Sequence, residues 1–181
     1  MMIEYFPKSK QFDGKFRLQR LIENINLEKI KTVLYVGIRP NRADHLSLFN
    51  GKQIYALEIW ERNIRIMIEN NCWPVCKYFS GDIVNWNTDM KFDLVFWWHG
   101  PEHVEKNKLN EAVANCEKLA TQMVVMGCPW GDYLSHEFSK NPHERHVSEL
   151  EPEFFDQLGY YVEAQGKRGP GSNLMAIKYL T

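Results

Sequence analysis

The sequence carries one compact acid-base cluster directly after a strongly apolar run, because KFDLVFWW (residues 91–98) leads into His99-Gly100-Pro101-Glu102-His103. Imidazole is the side chain best suited to act as a base near neutrality, and a carboxylate three residues away can share its proton. The same residues also read as a helix start, with Pro101 and Glu102 in its first turn and the histidines in solvent. A second set is spaced differently: Gly37 follows KTVLYV, Glu58 closes IYALE, and Asp82 ends FSGD. A turn glycine after one strand, and an acid after the next about twenty residues on, is how a nucleoside is held. The turn takes the ligand's charged middle and the acid accepts ribose hydroxyls.

The elements that must position these residues alternate. Apolar spacing predicts a leading helix over 13–30, strands over 32–36, 53–57 and 75–79, and a central strand over 91–98 whose unbroken apolar character suits burial on both faces. Helices are expected over 43–49, 61–70 and 104–120, and a fifth strand over 121–127. Such alternation requires parallel strands joined by right-handed crossovers. After a long polar and aromatic loop over 129–150 come a short helix (151–158) and two strands (159–165 and 173–180). GKRGPGS between them is a hairpin signature rather than a crossover. It lacks the spacing of a phosphate loop and precedes no helix. Residues 1–12 read as an arm or lid lying across the body of a single domain, 13–181.

At 181 residues, 44% hydrophobic, the chain holds one sizeable core and is too short for two ordinary domains. A formal net charge of -1 gives no electrostatic footprint for nucleic acid or an anionic membrane. Four scattered cysteines without a CxxC pair suggest reduced, mostly buried thiols. No signal-peptide core or membrane-length apolar run is present, so a soluble cytoplasmic protein is expected.

In order of elements the chain resembles the class I S-adenosylmethionine-dependent methyltransferases, over about residues 13–180. The likeness rests on VLYVGIRPN, IYALEI, FSGDI, FDLVFWWHGPEHV, and the closing strands GYYVEAQ and NLMAIKYL. It implies a Rossmann-like, doubly wound, mostly parallel sheet of seven strands with a C-terminal antiparallel hairpin and helices on both faces. It further implies S-adenosylmethionine as cofactor, contacted by Gly37, Ile38, Arg39, Glu58, Ile59, Asp82, Ile83 and Trp98. A small-molecule acceptor would then lie beside His99, Glu102 and His103, with His99 as base where the acceptor must lose a proton. The first loop departs from the family's Gly-x-Gly-x-Gly: only Gly37 remains, and Arg39 and Pro40 should reshape the site. Arg39 could instead face the cofactor's carboxylate. The Asp/Asn-Pro-Pro-aromatic motif of nucleobase methylation is not present after the fourth strand.

Two rival functions follow from the same residues. One is a binding protein that kept the fold and lost turnover, motivated by the altered loop; the other is an NAD-dependent oxidoreductase, since an acid after the second strand also suits that ribose. The long loop should cover the acceptor with Trp130, Tyr133 and Phe138. Its His136, His143 and His146, near Asp132, Glu137 and Glu144, match no zinc template, and no metal is expected there.

Overall fold

The computed structural model describes residues 2–8, 13–41, 45–132 and 141–180. Among these, eight strands form one sheet: β1 (Ile3–Phe6), β2 (Thr32–Val36), β3 (Gln53–Glu58), β4 (Lys77–Ser80), β5 (Phe92–Trp98), β6 (Ala120–Cys128), β7 (Tyr161–Gln165) and β8 (Asn173–Tyr179). Their spatial order is β1-β7-β8-β6-β5-β2-β3-β4. All pairings are parallel except the two that β8 makes with β6 and β7, so the expected terminal hairpin is present. The sheet has one strand more than the seven expected. The extra strand is β1, where the segment read as an arm pairs with β7 from Ile3↔Val162 to Phe6↔Gln165. Its four residues are too short and too mixed for period-2 reading, and only the partner edge reveals them.

Side chains alternate across the central strands and feed two cores. Leu34, Val36, Val95 and Trp97 face α3 (Leu109–Leu119) and α4 (Pro152–Gln157), while Val33, Tyr35, Leu94, Phe96 and Trp98 face α1 (Gly14–Asn24) and α2 (Glu61–Glu69). Burial on both sides explains the unbroken apolar run of β5. Asp13 caps α1 by accepting the Phe16 N–H at 3.0 Å, as its place before the run predicts. Asp93 fixes the register of β2 on β5: its Oδ2 accepts the Lys31 and Thr32 N–H groups at 2.7 and 3.0 Å.

Several boundaries are shorter than expected. The helix over 43–49 is a 3-10 turn at Leu46–Phe49, with residues 43 and 44 outside the described ones. The helix over 104–120 becomes a 3-10 turn at Lys106–Lys108 followed by α3, and a separate 3-10 turn at Pro101–His103 precedes it. The four cysteines are unpaired; Cys116 and Cys128 are buried and Cys76 is exposed. No described helix is long and apolar enough to cross a membrane.

Candidate active site at the carboxyl ends of the strands

The strand order reverses between β2 and β5, since the chain runs outward from β2 to β3 and β4 and then returns to β5 on the other side of β2. Open parallel sheets bind ligands in the crevice outside such a point. A cavity of about 260 Å3 opens there. Gly37, Arg39, Glu58, Ile59, Asp82, Ile83, His99 and His103, all singled out from sequence, line it together.

Gly37 turns the chain out of β2 at φ +75°, in the left-handed region, while its N–H donates to the Leu57 carbonyl at 2.8 Å. Only glycine takes that conformation without strain. Glu58 stands at the end of β3 and is 4% exposed. Its Oε1 accepts the Trp60 N–H at 2.9 Å and a longer contact from Asn63 Nδ2 at 3.4 Å. Burial pushes the Glu58 carboxyl up to about 7, against the pull of those two donors and of Arg39. Asp82 forms a tight turn in which its Oδ1 accepts the Val84 N–H at 3.0 Å, and Ile83 packs beneath it, 5% exposed.

Trp97 and Trp98 divide as strand alternation requires. Trp97 lines the cavity, whereas Trp98, expected at the cofactor, points to the opposite face, stacked on Phe96 at 5.7 Å and against His45 at 4.7 Å. Ile38 is likewise buried in the core and does not line the cavity. Gly100 lets Trp97 lie flat over the chain, because a Cβ at Gly100 would fall 1.8 Å from the indole nitrogen.

His99 adopts φ +54°, a left-handed conformation rare for residues with a side chain and costing about 1 kcal/mol, held by its N–H donating to the Gly127 carbonyl at 2.7 Å. That turn swings the imidazole to the cavity and places its Nδ1 3.5 Å from Glu102 Oε1. Glu102 itself does not line the cavity and is 2% exposed. Burial opposes its charge, yet His103, His99 and His146 outweigh burial and hold its carboxyl below the ordinary range.

The segment after residue 140 closes one side with Asn141, His143 and Glu144. Glu144 Oε1 accepts from Arg39 Nη1 at 2.8 Å, so the arginine expected to meet a ligand carboxylate is engaged by protein. Trp130 does not join the wall: its indole donates to Glu151 Oε2 at 2.8 Å and its ring lies 5.9 Å from Tyr5. Tyr133, His136, Glu137 and Phe138 lie outside the described residues. Sequence reasoning missed Asn63, and took Glu144 only as a neighbour of the loop histidines, not as part of the cavity wall. Asn63 had a signal, a polar residue four before Met67 on the buried face of α2, whereas nothing in the spacing pairs Glu144 with Arg39.

No family model matches the sequence, and no curated protein matches it. Solved structures do. The N-methyltransferase NodS from Bradyrhizobium japonicum WM9, in complex with S-adenosyl-L-homocysteine, is similar over 91% of this chain and 86% of its own, with 17% identity and a TM-score of 0.65. Magnesium protoporphyrin IX methyltransferase (ChlM) from Synechocystis PCC 6803, with bound S-adenosylmethionine, is similar over 92% of this chain and 77% of its own, with 11% identity and a TM-score of 0.62. The small RNA methyltransferase HEN1 matches over 91% of this chain and 25% of its own, with 17% identity and a TM-score of 0.63. The fold is that of the class I methyltransferases.

Proposed function

We propose that the chain transfers a methyl group from S-adenosylmethionine to a small-molecule acceptor. The observation that carries this reading is the convergence of Gly37, Glu58, Asp82 and Ile83, from three separate strand ends, on one cavity beside His99. The order of those residues suits a nucleoside. Both donors to Glu58 use Oε1, which leaves Oε2 for ribose hydroxyls. Asp82 and Ile83 fit an adenine edge and face, and the Gly37 turn allows close backbone approach. The methylated and demethylated cofactors found in the similar structures support the same assignment. When bound, the cofactor supplies an electrophilic methyl group on a sulfonium.

The protein's own work is to align the acceptor and exclude water. The cavity wall beside His99 would hold the acceptor's oxygen or nitrogen in line with the methyl group that the bound cofactor would supply. A protic acceptor passes its proton to His99. Glu102, which does not line the cavity, lies 3.5 Å from His99 Nδ1 and acts as a positioning residue that orients it. The acceptor reading rests on the size of the cavity and on the near-neutral chain. Cytoplasmic location accords with the absence of membrane-length helices among the described residues. No feature of the site favours the inactive or NAD-dependent alternatives.

Calorimetric titration with S-adenosylhomocysteine and S-adenosylmethionine tests the proposal. Micromolar binding that Glu58→Ala abolishes is expected; lack of binding at millimolar ligand overturns it.

A further inference from the structure

Behind His99 lies a buried group that the cofactor site does not use. Neither carboxylate oxygen of Glu102 has a hydrogen-bond partner among the described residues, and the side chain is 3% exposed. A carboxylate taken out of water at such a position needs strong compensation from charges or a metal. Three imidazoles surround it: His99 Nδ1, His103 Nε2 and His146 Nε2 lie 3.5, 3.8 and 3.9 Å from its Oε1. The two longer separations exceed hydrogen-bond length but suit ligands gathered around a common centre.

We propose that Glu102, His103 and His146 hold a divalent transition-metal ion of the zinc or cobalt kind, with an open position toward the cavity. The three donor atoms lie within 4.8 Å of one another. A point equidistant from them is therefore at most about 2.5 Å from each, and a contraction of a few tenths of an ångström reaches the ~2.1 Å bonds that zinc makes to imidazole and carboxylate. Two imidazoles and one carboxylate select such borderline cations over magnesium or calcium, which take oxygen shells.

The surroundings are built to hold these ligands in place. His103 Nδ1 lies 3.1 Å from the Arg145 carbonyl, the outer contact that fixes a ligand imidazole with Nε2 turned to the ion. The N–H groups of Val147 and Ser148 both donate to the Glu102 carbonyl, and Ser148 Oγ donates to the Val104 carbonyl at 2.6 Å. The segment bearing His146 is thus bound to the turn bearing the other two ligands. Because His103 also lines the cavity, the open position is placed to take an oxygen of the acceptor. That role rests on the function proposed above, whereas binding of the ion does not.

The full chain, stripped of metal with a chelator, is titrated with Zn2+ by calorimetry and with Co2+ by visible absorption. One ion per chain is expected, with the intense absorption of low-coordinate cobalt and no sulfur-to-cobalt charge-transfer band. Glu102→Gln, His103→Gln and His146→Gln should each weaken binding at least about tenfold, while Cys76→Ser leaves it unchanged. No stoichiometric binding by the unsubstituted chain, a thiolate band, or affinity that survives all three substitutions overturns the proposal. Circular dichroism identifies any variant that does not fold, and the unsubstituted cobalt spectrum then decides. Titration of the same samples with S-adenosylhomocysteine separates the two readings: a chain that binds the ligand but no ion overturns this one alone, and the reverse overturns only the methyl-transfer reading.

Discussion

Arg39 Nη1 and Glu144 Oε1 lie 2.8 Å apart across the mouth of the cavity, joining the loop after β2 to a residue more than half the chain away. The pair sets the charge around Glu58, since Arg39 favours its ionised form and Glu144 opposes it. Replacing Glu144 with Gln removes the opposing charge. The Glu58 carboxyl should then titrate lower, read from its side-chain carbon resonance as pH is raised. Loss of the charge-assisted contact should cost about 1 kcal/mol in urea unfolding.

Glu58 should make the protein's stability fall as pH rises. Its carboxyl keeps a proton to about 7 in the folded chain but only to its ordinary 4.5 when unfolded. Between those values the folded state holds the extra proton, so the stabilisation is full below 4.5 and lost by the time pH passes 7. The loss is about 3 kcal/mol. Urea unfolding at a series of pH values should show that slope, and Glu58→Gln should remove it.

Gly100→Ala should disturb the site through Trp97. The added methyl meets the indole nitrogen at 1.8 Å, and backbone and ring must both give way. A cost of about 1–3 kcal/mol is expected from overpacking, with a change in tryptophan fluorescence and weaker S-adenosylhomocysteine binding. Binding at the unsubstituted strength would show that Trp97 does not bound the ligand.

Asn63→Ala takes one donor from Glu58 without touching the backbone. The Glu58 carboxyl should titrate higher still, because a donor to its charged form is lost. Cofactor affinity at neutral pH should fall, and recover as pH is raised. Paired titrations at pH 7 and 9 check this.

The fold was legible because it is written in repeated, local signals: the apolar run of β5, the cap at Asp13, and the hairpin signature before Asn173. Strand alternation lets only one of Trp97 and Trp98 face the cavity, and the expectation settled on Trp98, the one that turns away. The rest of the site was not legible because its contacts join segments that share no spacing. Glu144 meets Arg39, and His146 meets Glu102, across distances in sequence that no period or motif spans. The short β1 was hidden for a related reason: its identity as a strand comes from the free edge of β7.

That last pairing sets the sequence of events at the ribosome. β1 is made well before its partner, since Ile3 pairs with Val162 and the Gly166 N–H donates to the Phe6 carbonyl, so its docking edge does not exist until β7 has been synthesised. The growing chain must carry an unpaired strand while the central sheet forms without it. The outer edge of the sheet is thus closed by a strand made long before the partner that gives it a place.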